Sequence, residues 1–262
     1  MIVSISTANL YFVPFEKTLE IYKKAGYAYI ELAGYWKGGE WEIAQRLKNY
    51  RPKEVVALVE KSGLKISTFH DMGGVIEVGA ESIVSENTLE YMRYYDFPCL
   101  IFHTPHKKNE NAAWWSEYRA KAIADLHNIR GDRLVCMENL FAVENYYMPW
   151  VNPNEMLDFL NEADVYLNLD TTHCAHSKTD IADAANTLGS RIKTIHLSDY
   201  KDGVQHVHPG EGTLDFASFF KAIRRDEVHS ICLECAIAYD ANDNSVAVNS
   251  ARKAREFVEK LI

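Results

Sequence analysis

Six short apolar runs of this chain end in a residue able to bind a metal ion or move a proton. KISTFH closes on His70, LIFH on His103, LVCME on Glu138, YLNLD on Asp170, IKTIH on His196 and SICLE on Glu234. Carboxylates and imidazoles are the usual ligands of divalent cations and the usual acids and bases of enzyme sites. One such residue at the end of an apolar run is ordinary. Six of them meet in space only if the runs are parallel, neighbouring strands. In a closed (β/α)8 barrel they all open into one mouth, where that fold builds its active sites.

The elements needed to hold them there can be read along the chain. Strand-like runs begin near Ile2, Tyr29, Lys65, Cys99, Arg133, Tyr166, Ile192 and Ser230. Several are continuously apolar rather than alternating, as strands covered on both faces should be. Helical patterns lie between them. Pro14–Ala25 carries Phe15, Leu19 and Tyr22 on one face, and Pro52–Ser62 stops at Gly63. Asn154–Glu162 follows the start signal Asn152-Pro153, Phe216–Arg225 follows the cap Asp215, and Val246–Ile262 is the last helix. Alternating strands and helices predict a parallel sheet. After the first strand, SISTANLYF lacks the glycine-rich phosphate turn of an open doubly wound sheet. The expected fold is therefore a single (β/α)8 TIM barrel over all 262 residues.

Composition narrows the classes of partner. Lys and Arg number 28 against 37 Asp and Glu, a net charge of −9, and the basic residues are scattered. Duplex binding needs a basic face to neutralise phosphates, so no nucleic-acid partner is expected. The densest basic stretch, His106-Lys107-Lys108, follows the fourth strand and could attract an anionic group on a small substrate. Five cysteines, mostly inside apolar runs and without a zinc-ribbon CxxC pair, read as buried free thiols in a reducing cytosol. No run is long enough to span a membrane and no signal peptide opens the chain, which together predict a cytoplasmic protein. Aromatic residues crowd the loops after strands two, four and five: Trp36, Trp41, Trp114, Trp115, Tyr146, Tyr147 and Trp150. They suit the C–H faces of a sugar or cyclitol, and equally the interface of a homo-oligomer.

Five segments carry a resemblance: MEN at Met137–Asn139, LDTTH at Leu169–His173, IHLSD at Ile195–Asp199, HPGEG at His208–Gly212 and LEC at Leu233–Cys235. Together they resemble the xylose-isomerase-like TIM-barrel superfamily. That group holds sugar isomerases and epimerases, inosose and dehydroshikimate dehydratases, and endonuclease IV. The resemblance implies one divalent ion bound by Glu138, Asp170, His196 and Glu234. Three carboxylates and one imidazole make a hard site, suited to Mn²⁺ first, then Mg²⁺, Co²⁺ or Zn²⁺. It further implies that Glu138 and Glu234 flank the substrate carbon and pass a proton through an enediolate. His70, His103, Glu144, His173 and His206 are the implied substrate contacts. Glu31, ending the second strand, also faces the mouth if the register holds.

Departures from each branch rank the activities. The tagatose-epimerase branch places an Arg six residues after its metal His, where this chain has Asp202. Endonuclease IV holds three zinc ions and needs an Asp two residues before a loop His, where this chain has Val204 or, aligned on His208, His206. The expectation is a metal-dependent isomerase or epimerase acting on a small sugar, sugar phosphate or cyclitol. Alternatives are a dehydratase of the same superfamily, a zinc abasic-site nuclease and a metal-binding barrel without turnover.

Overall fold

The structure is a computed structural model that describes residues 1–34, 47, 49–71 and 82–262. Trp36 and Trp41 lie outside the described residues. Eight parallel strands form a closed barrel: β1 (Ile2–Ser6), β2 (Tyr29–Ala33), β3 (Lys65–Asp71), β4 (Cys99–His103), β5 (Leu134–Glu138), β6 (Tyr166–Asp170), β7 (Ile192–Leu197) and β8 (Ser230–Leu233). Each strand pairs with its neighbours in sequence, and β8 closes on β1 with Ile2 opposite Ser230. This is the (β/α)8 barrel expected from the alternation.

Helices cover the outside: α1 (Phe15–Lys24), α2 (Pro52–Ser62), α3 (Glu86–Tyr91), α4 (Ala112–Arg130), α5 (Pro153–Glu162), α6 (Thr171–His176), α7 (Ile181–Leu188), α8 (Phe216–Ala222) and α9 (Asn244–Glu259). α1 buries Phe15, Leu19 and Tyr22, the face read from the sequence. α2 ends at Gly63, whose φ of 73° is left-handed and free of cost without a Cβ. Helix ends differ from expectation in α8 and at both ends of α9, which stops at Glu259 and not at Ile262. α8 stops at Ala222 because Ile223 turns extended, and Arg225–Glu227 forms a separate 3-10 turn. α9 starts early, at Asn244, because the Asp243 side chain accepts from Ser245 N–H and caps it there.

Two irregularities set the register of the inner wall. Between β2 and β3 the pairing shifts after Ile30, so that Glu31 faces Thr68 and not Ser67. Between β6 and β7 it shifts after Leu167, placing Asn168 opposite Thr194 and Asp170 opposite His196. Such bulges re-aim side chains and are rare in parallel sheets. Below the mouth the interior is polar: Asn168, Thr194 and Ser230 form one row across β6, β7 and β8, all at most 1% exposed. The Asn168 amide and the Thr194 and Ser230 hydroxyls have no hydrogen-bond partner among the described residues. All five cysteines are free and buried. Among the described residues, no helix is long and apolar enough to cross a membrane.

Candidate metal centre

The strand ends bring Glu138, Asp170, His196 and Glu234 together, with one ligand atom of each within 4.8 Å of the others. His196 Nδ1 lies 2.8 Å from Glu234 Oε2 and 3.5 Å from Glu138 Oε1. Asp170 divides its two oxygens between different tasks. Oδ1 caps α6, accepting from Thr172 N–H at 2.7 Å, His173 N–H at 2.8 Å and the Thr172 hydroxyl at 2.9 Å. Oδ2 is buried and has no hydrogen-bond partner; both Glu138 oxygens and His196 Nδ1 also lack a well-formed hydrogen bond and meet only the opposite charges around them. Orphaned polar atoms buried together on convergent carboxylates and an imidazole are costly unless a cation satisfies them. The donor set therefore fits a divalent ion, and its oxygen-rich character fits a hard one.

The MEN motif explains how Asp170 is held. Asn139 accepts from Asp170 N–H at 2.8 Å and donates to the Asp170 carbonyl at 3.2 Å, clamping the end of β6 against β5. In the sequence Asn139 stands out only as part of the motif; its clamp depends on the strand pairing. The HPGEG loop likewise wraps one buried carboxylate. Asp199 accepts from the N–H groups of Gly210, Gly212 and Leu214 at 2.9–3.0 Å. A Cβ on Gly212 would collide with Asp199 Oδ1, so only glycine permits this approach. The loop then returns beside a short hairpin, Asp199–Lys201 with Val204–Val207, which carries His206.

The remaining site residues of the sequence reading fall in different places. His70 and His103 stand beside Glu138, with His70 Nε2 at 2.9 Å from His103 Nε2 and 3.1 Å from Glu138 Oε2. His173 donates Nδ1–H to the Asn139 carbonyl at 2.8 Å, and His206 donates Nδ1–H to the Glu234 carbonyl at 2.9 Å. These bonds leave the Nε2 lone pair of each ring available, and both rings group with Asp170. Glu144 lies exposed in the turn before Tyr146, outside these groups. His208 points away, its ring nitrogens against the carbonyls of Pro209 and Ser250. Glu31, expected to end the second strand, lies at the middle of β2, which runs on to Ala33, and is fully buried within the cluster, 2.9 Å from His196 Nε2.

Charges in the cluster compensate one another. Burial alone would raise the Glu138 carboxyl, but His196 and His70 outweigh it and hold it well below the usual carboxylate range. Glu234 follows the same balance, with burial opposing and His196 prevailing, and is held down at about 2. Burial disfavours a charged His70, yet Glu138 and Glu31 push it up to about 10. His103 goes the other way: burial and the charge on His70 push it down to about 3. His196 is driven well above an ordinary histidine because Glu31, Glu234 and Glu138 outweigh its burial. Protonated imidazoles here neutralise carboxylates that a divalent ion could neutralise instead, so ion binding should release protons.

The aromatic residues divide unexpectedly. Trp115 and Trp150 are core, not mouth: they are 5% and 4% exposed and pack with Phe159 between α4 and α5. Trp114 and Tyr147 meet edge to face, with the Lys107 ammonium 5.5 Å from the Trp114 ring. Lys107 also pairs with Glu110 at 3.1 Å, and Lys107–Lys108 forms a short ribbon with Tyr146–Tyr147. A groove of about 560 Å³ lies at the opposite end of the barrel, beside Tyr166, Arg191 and Lys193. It is remote from the cluster, and its basic residues already pair with Asp164 and Glu227.

Comparison with known proteins places the fold and the family. A D-psicose 3-epimerase of Enterocloster bolteae is 31% identical over 114 residues, which is 40% of this chain and 36% of the relative's length. The chain thus aligns with about a third of that relative. A crystal structure of D-psicose 3-epimerase with D-tagatose, from Clostridium cellulolyticum, superposes with a TM-score of 0.70 at 16% identity, over 100% of this chain and 99% of the other. A probable 3-DHS dehydratase from Bacillus anthracis superposes with a TM-score of 0.69 at 17% identity, over 99% of each chain. These two superpositions show a shared fold. The family model of the xylose isomerase-like TIM barrel matches residues 19–261. With that match over nearly its whole length, the chain belongs to the xylose isomerase-like TIM-barrel family.

Proposed function

We propose that the chain is a divalent-metal-dependent isomerase or epimerase acting on a small sugar, sugar phosphate or cyclitol by proton transfer through an enediolate. The observation that carries this reading is the four-residue cluster of Glu138, Asp170, His196 and Glu234, with its buried, unsatisfied ligand atoms. The partial likeness to D-psicose 3-epimerase supports it. A bound divalent ion, with Mn²⁺ the first candidate, would supply Lewis-acid stabilisation of the charge that develops on the substrate oxygens. Glu138 comes from β5 and Glu234 from the end of β8, so a carbon between them would face a carboxylate on either side. One takes the proton α to the carbonyl and the other returns it. His103, His173 and His206 line the mouth and would orient hydroxyl groups, with His70 behind them. Glu144 joins them if the substrate reaches the Tyr146–Tyr147 ribbon.

The test is a panel of ketoses, inososes and 3-dehydroshikimate incubated in D₂O with Mn²⁺, followed by NMR and by elemental analysis of the protein. Deuterium uptake at one substrate carbon is expected. In Glu138→Gln and Glu234→Gln it should fall by about 100-fold or more while the circular dichroism stays that of a folded barrel. Exchange at a wild-type rate in either variant would place the proton transfer elsewhere. Loss of water from 3-dehydroshikimate or an inosose would assign a dehydratase. A second reading rests on two further groups, His70–His103–Glu138 and Asp170–His173–His206, each close enough to share an ion. Three zinc ions per chain with nicking of an abasic-site oligonucleotide, and no small-molecule exchange, would favour the nuclease.

A further inference from the structure

We propose that Glu31 is the positioning residue of the metal centre: it fixes His196 so that Nε2–H points into the barrel and Nδ1 points at the ion site. The inference rests on the metal site proposed above and concerns a residue outside the four ligands. Glu31 sits on β2 and His196 on β7, which are not neighbours in the sheet, so the carboxylate reaches across the barrel interior. Its Oε2 accepts from His196 Nε2–H at 2.9 Å. The same oxygen accepts from the Thr68 hydroxyl at 2.9 Å. Glu31 Oε1 lies 3.6 Å from His70 Nδ1, and the far nitrogen of that ring faces Glu138.

Two features argue that this arrangement is built for the ion and is not a casual ion pair. A fully buried carboxylate is expensive, and Glu31 is 0% exposed, so it must be matched by donors that the fold supplies reliably. The bulge after Ile30 supplies one of them: it sets Thr68, and not Ser67, beside Glu31, while the displaced Ser67 hydroxyl turns back to the Ile30 carbonyl. The bulge after Leu167 serves the other end, bringing His196 into register with Asp170. Both irregularities of the ring thus converge on one line, Thr68–Glu31–His196. A histidine that ligates a metal through one nitrogen commonly gives its other N–H to a carboxylate, which fixes the tautomer and raises ligand basicity. Glu31 occupies that position. His196 Nδ1 is left 2.8 Å from Glu234 Oε2, on the ligand side.

The test needs no substrate. Mn²⁺ binding to the ion-free protein is measured by titration calorimetry for the wild type, Glu31→Gln and Thr68→Val. The histidine ¹⁵N shifts of Mg²⁺-loaded wild type report the His196 tautomer. The expected result is a protonated Nε2 on His196, with Mn²⁺ affinity weakened about 10- to 100-fold in Glu31→Gln and less in Thr68→Val. Glu31→Gln affinity equal to wild type, or a His196 protonated on Nδ1 in the loaded protein, would overturn the role of Glu31 alone. No Mn²⁺ uptake by the wild type would overturn the metal site itself, and the role of Glu31 with it. Should Glu31→Gln not fold, the wild-type tautomer and the milder Thr68→Val decide the matter.

Discussion

At the scale of single residues, the mouth is a set of charges that balance only in combination. His70 and His103 lie 2.9 Å apart, and Glu138 and Glu31 face His70, so their charge favours a proton on that ring over one on His103. The sign of the consequence follows from where the unfolded chain titrates. Between about pH 6.5 and 3 the unfolded chain binds a proton on His103 that the folded site, held near 3, refuses, so stability falls as pH drops. Between about pH 6.5 and 10 the folded site keeps on His70 a proton that the unfolded chain has released, so stability falls as pH rises. Glu234, held near 2, adds to the acid loss only once the pH passes below its ordinary value of 4.5. The urea midpoint of the ion-free protein should therefore be highest near pH 6.5 and lower at about pH 5 and about pH 9. A midpoint rising steadily from pH 5 to pH 9 would show that the His70–His103 pair does not carry the balance.

At the scale of elements, Asp170 links strand, helix and site. It ends β6, caps α6 with Oδ1 and leaves Oδ2 buried without a partner on the side of the proposed ion. The two tasks separate by substitution. Asp170→Asn keeps an oxygen for the cap and loses the charge, so the ion-free protein should melt close to wild type while Mn²⁺ affinity drops. Asp170→Ala loses both and should cost a further ~1 kcal/mol of stability, measured by urea denaturation. Equal destabilisation by the two would mean that the cap contributes nothing. The strand ends that carry the site were legible in the sequence because a parallel barrel strand is a short apolar run and its last inward residue stands out as polar. What sits between strands was less legible. Glu31 could be placed at the mouth from its run, but its contact with His196 depends on reach across the barrel and on a bulge at Ser67 that no periodicity announces. Trp115 and Trp150 illustrate the opposite error: an aromatic residue in a loop or first helical turn has the right composition for a mouth, and only the packing against Phe159 shows it to be core.

At the scale of the molecule, the family and the barrel were readable from length, alternation and five motifs, and the structure bears out both. The expectation of buried, free cysteines is also met, and it has a kinetic consequence. Cys99 and Cys136 lie 3.7 Å apart inside the ring, and Cys232 stands beside His196 on the next strand. Burial raises the Cys99 and Cys232 thiols, and Cys174 to about 12, and a thiol reagent attacks only the thiolate. Cys99, Cys136 and Cys232 can be labelled only when the barrel opens, so their labelling rate counts openings. An ion bound only to the closed barrel suppresses them in proportion to the fraction left unbound, about 100-fold at 100 times its dissociation constant. Thiol labelling across a Mn²⁺ series should slow accordingly, and a rate indifferent to Mn²⁺ would show that the ion does not grip the folded ring. The inner wall thus contains its own clock: the sulfur atoms of Cys99, Cys136 and Cys232, which time how often the barrel comes apart and how firmly a metal holds it shut.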